Sequence, residues 1–362
     1  MRVKFARLAN FRNVGFADVN LDAPSVWICG KNGQGKTNLL EAVSLLTALR
    51  SFRSALLAPL IKFGAKEAAA LFGIEHEVYG ECEVCIKISA EKRAIFVNDE
   101  EQKKLSDFIG RFPAPAMCSD DMMLLRGAPA LRRKFADMAF SAVDAEYLEA
   151  LKGYHRALMH RAAALKAGGA HAHTLSAFED AMARNAEIVW QKRALYFEGL
   201  ALSAGQKYAV LAGGAEDASV KIKPDCKVQD AAQYARVLHA ERAKDLERGA
   251  ASSGPHKDDF DLIIGGKSAR LYASEGQQRS AVLALKLAQF ELFKKFSHAQ
   301  PVLLCDDVLG ELDEARRAAF WSCMQGDAQV IATSTLTSAP SDSSRKSWLK
   351  LRACAGAFET ET

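Results

Sequence analysis

The segment Gly30-Lys31-Asn32-Gly33-Gln34-Gly35-Lys36-Thr37 constrains this chain more than any other. It matches G-x-x-x-x-G-K-[ST], and its flanks are those the motif needs: an apolar run from Val26 to Cys29, then a helical stretch. From Lys36 to Ala48, the residues Leu39, Leu40, Val43, Leu46 and Thr47 recur on one helical side. A strand that passes through glycines into a helix N-terminus aims backbone N–H groups and the positive end of the helix at one point. That arrangement holds phosphate. The spacing therefore predicts an α/β domain with a nucleotide site built from Gly30 to Thr37 and Asn38. Lys36 would bridge β- and γ-phosphates, and the Thr37 hydroxyl would sit on Mg²⁺.

A carboxylate for that metal stands far downstream. Pro301 to Cys305 reads as a buried strand, and it ends in Asp306-Asp307. Asp306 would complete the Mg²⁺ ligands, while Asp307 is placed to orient and deprotonate the attacking water. An apolar run ending in two acids is weak alone, because many strands end in Asp at a turn. Paired with the phosphate loop, it predicts ATP and Mg²⁺ as cofactors, with Lys36 and Asp307 as the catalytic residues. Between the two elements, Ser274-Glu275-Gly276-Gln277-Gln278-Arg279-Ser280 opens a helix. Ser274 is its N-cap, and Gly276 permits close backbone approach.

The 362 residues exceed one ordinary domain of roughly 100–200 residues, so two domains or one domain with an insertion are expected. Apolar residues at 49% and charged residues at 25% exclude a mainly disordered chain. Strand-like runs fill the start: Val3–Phe11, Val19–Gly30, an antiparallel pair at Ala69–Tyr79 and Glu81–Ser89, and Arg93–Gln102. From Pro129 to Arg248 the chain is Ala-rich and helical. Leu148, Leu151, His155, Leu158, Ala162 and Leu165 recur at steps of three and four, the seam of a helix packed lengthwise on another. Gly168-Gly169 breaks that helix. Thr174 caps the next, in which Leu175, Phe178, Met182 and Val189 repeat the spacing. Strands return at Asp261–Gly266 and Ser268–Ala273, followed by a helix at Gly276–Phe296 and strands at 301–305 and 329–333. The α/β domain is thus split into 1–125 and 249–362, with 126–248 inserted as an antiparallel helical arm.

Other classes drop out. No segment reaches the roughly 18 uninterrupted apolar residues of a membrane span, and no apolar h-region follows the basic start. The eight cysteines lie scattered in apolar runs and read as reduced core thiols of a cytoplasmic protein. Cys82 and Cys85 alternate along a strand, which puts their sulfurs on opposite faces. His256, Asp258 and Asp259 form a structural turn rather than a metal cluster, and His171 and His173 belong to an exposed hairpin tip. The net charge of +4 permits a nucleic-acid partner without demanding one.

Ser274 to Ser280 resembles the signature of ATP-binding-cassette ATPases, and the whole set of motifs resembles the RecF family of SMC-like ATPases. The resemblance rests on Leu8-Ala-Asn-Phe-Arg-Asn13, Gly33 to Glu41, Arg50-Ser-Phe-Arg53, Arg132-Arg133, Gly254-Pro-His-Lys-Asp-Asp259, Gly276-Gln-Gln-Arg279 and Leu304-Cys-Asp-Asp-Val-Leu309. It implies an ABC/SMC-like P-loop ATPase head with the helical arm inserted. It also implies an ATP-gated homodimer, in which Ser274, Gly276 and Gln277 of one copy close on the γ-phosphate held by the other. Weak, DNA-stimulated hydrolysis follows, with binding of duplex and single-stranded DNA at gaps; Arg50, Arg53, Arg126, Arg132 and Arg133 are the candidate DNA contacts. The implied partners are RecR, RecO and RecA, and the implied task is recombinational gap repair, supporting replication and the SOS response. Three positions depart from the family pattern. Cys118-Ser-Asp-Asp121 stands at the lid over Mg²⁺, Gly310 replaces a Ser, and the switch residue falls within Thr333-Ser334-Thr335. The rival reading is the ATPase subunit of a membrane transporter, which uses the same three motifs; the long arm and the opening Leu8 to Asn13 argue against it.

Overall fold

The computed structural model describes residues 1–48, 51–54, 56–104, 107–167, 172–214, 216–297, 299–324, 327–339 and 347–361. Two compact units emerge: 1–121 with 207–215 and 283–362, and 122–206 with 216–282. The expected boundaries at 125/126 and 248/249 are therefore displaced. The second is displaced most, because the loop beyond residue 249 is tied by buried hydrogen bonds to the helical unit.

In the first unit, period-two alternation builds an antiparallel sheet. Strands β1 (Arg2–Phe11), β2 (Val14–Asn20), β4 (Glu67–His76), β5 (Gly80–Ser89), β6 (Arg93–Val97) and β7 (Glu100–Glu101) lie in the order β2-β1-β4-β5-β6-β7. One face buries Leu8, Phe72, Ile74, Val84 and Ile86 in a core shared with Leu39, Leu40, Val43 and Leu46 of helix α1 (Lys36–Ala48). Cys82 faces that core and Cys85 the opposite side, as alternation requires. Among the described residues no group of three or more His, Cys, Asp or Glu side chains is placed to hold a metal ion.

The second sheet of this unit has the order β15-β14-β3-β13-β12-β8. Its strands are β3 (Ser25–Cys29), β8 (Ala116–Cys118), β12 (Leu303–Asp306), β13 (Val330–Ser334), β14 (Leu349–Cys354) and β15 (Ala357–Thr360). All neighbours are parallel except β15 on β14. Parallel pairing brings the carboxyl ends of β3, β12, β13 and β14 to one edge, where open α/β sheets bind ligands. The strands β14 and β15 were not legible in the sequence, nor was β8. The helix α10 (Glu314–Cys323) begins at Asp313, whose side chain accepts from Arg316 N.

The second unit contains α2 (Met123–Arg126), α3 (Pro129–Ser141), α4 (Ala145–Lys166), most of α5 (Ala172–Leu211), α6 (Ala231–Ala240) and α7 (Arg242–Arg248). Of the expected α4 seam, Leu148 and Leu165 are buried, but between them the buried face runs one residue earlier, through Ala150, Tyr154, Ala157 and Arg161, with Tyr147 also buried and His155 exposed. An aliphatic pattern does not register this face, because Tyr147, Tyr154 and Arg161 carry polar groups and Ala150 and Ala157 are small. Arg161 is wholly buried and donates to Asp245 Oδ2 at 2.7 Å, Glu179 Oε1 at 3.0 and 3.1 Å, and Leu238 O at 3.2 Å. Thr174 lies inside α5 and is not its cap, and residues 168–171, with His171, fall outside the described set.

A strand within the stretch expected to be helical, β9 (Ala218–Lys223), pairs antiparallel with β10 (Asp259–Ile264), which pairs with β11 (Lys267–Ser268). The expected strand at Ser268–Ala273 is instead the helical turn α8 (Ala269–Tyr272), ahead of α9 (Glu275–Phe296). The turn at 254–259 is structural, as expected, but serves the second unit. Asp258 Oδ2 accepts from Arg193 Nη1 at 2.6 Å and Trp190 Nε1 at 2.9 Å, and His256 Nδ1 faces the Tyr154 hydroxyl at 2.6 Å.

Candidate nucleotide-binding site

Strand β3 is buried along its whole length, so the chain leaves the sheet at a fixed point and turns at Gly30. That residue has φ +152°, and a Cβ there would lie 2.6 Å from the Ala353 carbonyl oxygen of β14. Only glycine fits. Gly33 and Gly35 also take positive φ, at +80° and +105°, which turns the loop back towards α1. Lys36 Nζ is buried and donates to the Gly30 and Lys31 carbonyls at 2.8 and 3.1 Å, so its charge sits inside the loop. Lys31 and Asn32 are exposed at the loop's crest.

Two further segments brace this loop. Asn13, from the turn after β1, donates to the Gly33 carbonyl at 2.9 Å and accepts from Asn38 Nδ2 at 2.7 Å. Gln34 accepts from Ala355 N at 2.6 Å through its side chain and from Gly356 N at 3.0 Å through its carbonyl. The fully buried Glu41 of α1 accepts both Arg12 nitrogens, at 2.6 and 2.8 Å, and the Ser51 hydroxyl.

The acids arrive on β12. Asp306 Oδ1 accepts from Thr37 Oγ1 at 2.9 Å and from Thr333 Oγ1, on neighbouring β13, at 2.7 Å. Burial pushes the Asp306 carboxyl up from its ordinary range, and the two hydroxyls oppose that shift. A desolvated carboxylate beside a threonine hydroxyl is an oxygen-donor pair that fits a hard divalent cation such as Mg²⁺. Asp307 takes left-handed φ of +57°, and its N–H bonds to Thr333 Oγ1 and O, both at 3.2 Å. That conformation is uncommon outside glycine, and Asp adopts it more readily than most other residues.

Among the three switch candidates, Thr333 alone touches this acid pair in the hydrogen bonds of the described residues. Ser334 is buried and accepts from Leu336 N, whereas Thr335 is exposed. A Cβ on Gly310 would approach Ser334 Oγ to 2.9 Å, which accounts for glycine there. Cys118 lies in register beside Asp306, and Asp121 accepts from Cys118 N at 2.8 Å while pairing with Lys286 at 3.2 Å. Burial and the neighbouring acids push the Cys118 thiol up to about 12, so it stays protonated and adds no charge.

The segment at Ser274 forms a reciprocal cap. Ser274 Oγ accepts from Gln277 N at 3.3 Å, and Gln277 Oε1 accepts from Ser274 N at 2.7 Å. The Ser274 hydroxyl proton remains available for donation. Gln277 Nε2 is held by Glu216 at 2.6 Å, and Gly276 lies in the first turn of α9.

The candidate DNA arginines separate. Arg53 and Arg126 are half-exposed, Arg53 bonding Asn38 and Glu41 and Arg126 bonding Gln278. Arg133 is partly exposed and donates to the Asp258 carbonyl at 2.9 Å. Arg132 is a correction: it is only 5% exposed and grips Asp259 with two nitrogens at 2.7 and 2.9 Å, so it has no fork left for a phosphate. Arg50 lies outside the described residues.

The model of the RecF/RecN/SMC N-terminal domain matches residues 2–349. The DNA replication and repair protein RecF of Lactobacillus delbrueckii subsp. bulgaricus is 35% identical over 340 residues, 90% of this chain and 89% of that relative. The chain belongs to the RecF family. RecF of a Synechococcus species is 34% identical over 352 residues, covering 92% of this chain and 91% of the relative. The solved recombination mediator protein RecF-ATP of the RecFOR pathway superposes with a TM-score of 0.91 at 26% identity, covering 100% and 98% of the two chains. An Smc head, at 14% identity and a TM-score of 0.55, shares the fold. Membership carries the RecF role in DNA replication and repair and an ATP-binding ATPase head, and it sets the transporter reading aside. No helix among the described residues is long and apolar enough to cross a membrane.

Proposed function

We propose that this RecF-family chain is a weak, DNA-stimulated ATPase that acts as an ATP-gated homodimeric clamp on DNA. The observation that carries the reading is the 2.9 Å bond between Thr37 on the phosphate loop and Asp306 at the end of β12, with the Lys36 ammonium buried in the same loop. Thr37 and Asp306 would hold Mg²⁺, which neutralises charge on the β- and γ-phosphates when bound. Lys36 would exchange its loop carbonyls for phosphate oxygens. Asp307, aimed by Thr333, would orient the attacking water and accept its proton.

In the same reading Ser274 donates its free hydroxyl proton to the γ-phosphate on a second copy, with Gly276 and Gln277 beside it. Loss of the γ-phosphate removes that bond, and the dimer opens. Arg53, Arg126 and Arg133, with Arg50, would meet DNA phosphates, which gives binding of duplex and single strands at gaps without base readout. Partners of this cytoplasmic switch would be RecR and RecO, and its outcome RecA loading.

The test is sedimentation of the protein with no nucleotide, with ADP and with a non-hydrolysable ATP analogue, each with and without gapped DNA. Dimer with the analogue alone, lost in Lys36→Ala, supports the gate. A monomer under every condition, or a Lys36→Ala dimer that still responds to ATP, refutes it.

A further inference from the structure

Two large apolar side chains stand in the open just before the capped start of α9. Leu271 and Tyr272 of α8 are 69% and 71% exposed, and with Ser274 and Glu275 they make one exposed crest. Ala269 of the same turn is fully buried, so α8 is anchored while these two side chains are left outside. The turn is also bolted to the helix that follows it. Gln278 Nε2 donates to the Ala269 and Ala273 carbonyls, at 3.3 and 3.2 Å. The Tyr272 ring is therefore carried at a fixed place beside the Ser274 hydroxyl, their Cα atoms no more than about 7 Å apart. Lys267 Nζ stands over the ring, 6.0 Å from its centroid.

In the proposed dimer, Ser274 meets the γ-phosphate of ATP seated on a second copy. The rest of that nucleotide runs on from the same point: two more phosphates, then the ribose and the base. Any crest that brings Ser274 to the γ-phosphate brings Leu271 and Tyr272 to the same nucleotide. Residues 30–38, which would grip the phosphates, include no aromatic side chain, so the phosphate loop itself gives the base nothing to stack on. An exposed planar ring is what a base stacks on, and base–aromatic stacking does not depend on hydrogen-bond readout.

We propose that Tyr272 stacks on the nucleobase of the ATP held by the partner copy, with Leu271 against its ribose. The second copy then reads the nucleotide at both ends, the γ-phosphate through Ser274 and the base through Tyr272. The dimer closes fully only on an intact nucleoside triphosphate, and each site is incomplete without its partner's ring. This inference rests on the dimer reading and adds to it the residue that recognises the base.

The experiment follows dimerisation of the intact protein by sedimentation with a non-hydrolysable ATP analogue. Stacking is followed with 2-aminopurine riboside triphosphate, whose emission a stacked aromatic ring quenches, read before turnover. Emission should fall as rising protein concentration converts single copies to dimers. Tyr272→Ala should dimerise at least about tenfold more weakly and lose the quenching, while keeping its circular dichroism and its affinity for ADP. Tyr272→Phe should restore both. Inorganic tripolyphosphate at saturation has no base to offer and should dimerise the wild-type protein at least about tenfold more weakly than the analogue. The proposal falls, and the dimer reading stands, if Tyr272→Ala dimerises as tightly as the wild type or if tripolyphosphate matches the analogue. It falls in the same way if the wild-type dimer shows no quenching or the alanine variant keeps it. Loss of oligothymidylate binding in Tyr272→Ala, with its dimer intact, would make the ring a DNA contact instead. A wild-type protein that stays single with every nucleotide overturns both readings.

Discussion

The hydroxyl of Thr333 donates to Asp306 Oδ1 at 2.7 Å and at the same time accepts from the backbone N–H of Asp307 at 3.2 Å. One side chain on β13 thus sets the aim of both acids at the end of β12. Thr333→Val keeps the shape and removes the hydroxyl, so hydrolysis should fall about 10- to 100-fold, with ATP still bound. Thr333→Ser should restore most of it. Equal hydrolysis in the valine and wild-type proteins would remove Thr333 from the mechanism.

Among the described residues Asp307 hydrogen-bonds only through its backbone, which leaves its side chain for chemistry. Asp307→Asn should bind ATP normally, hydrolyse it about 100-fold or more slowly, and accumulate as a dimer in ATP. Single-turnover kinetics with sedimentation checks both halves.

Two arginines close in sequence should behave oppositely. Arg126 is half-exposed, so Arg126→Ala should leave the melting temperature nearly unchanged. The slope of log affinity for DNA against log salt should fall by about one. Arg132→Ala strands Asp259 and should cost about 3 kcal/mol or more of stability, with no specific change in that slope. Salt titrations on both variants, paired with melting curves, decide it.

The ion cluster of Arg161 with Glu179 and Asp245 is buried almost completely. Arg161→Met leaves the buried Asp245 without a counter-charge, while Glu179 keeps Arg242, and should destabilise the second unit by about 3–5 kcal/mol. Denaturant unfolding measures this directly.

Burial pushes His256 down to about 4, and the Tyr154 hydroxyl is placed to donate to its Nδ1, which suits the neutral ring. The unfolded ring has its ordinary value near 6.5, so between about 6.5 and 4 the unfolded chain binds the extra proton. This contribution to stability is therefore complete above pH 6.5 and is lost as pH falls towards 4. Melting temperature against pH should drop across that window, and His256→Gln should flatten the drop.

The phosphate loop, the strand into it and the helix after it were legible because three constraints fall on adjacent residues. Asp306 and Asp307 were legible because a short apolar strand ends on them. Thr333 was narrowed only to a trio, since choosing among adjacent hydroxyls needs the register of β13 on β12. Arg132 read as a surface cation because its partner, Asp259, lies far along the chain. The ends of the α4 seam, Leu148 and Leu165, were legible, but its middle is shifted by one residue for a related reason: Tyr147, Tyr154 and Arg161 are buried through hydrogen bonds that an apolar pattern does not register. The strand β9 escaped notice because its pattern is mostly exposed, as an outer strand's is.

The contact between Gly30 and Ala353, with the bonds from Ala355 and Gly356 to Gln34, has a consequence for biogenesis. Strand β3 lies between β13 and β14, both made long after it. During translation, the glycine turn emerges early but lacks its walls until residues near 356 leave the ribosome. A nascent chain should therefore be unable to capture nucleotide until synthesis has passed that hairpin.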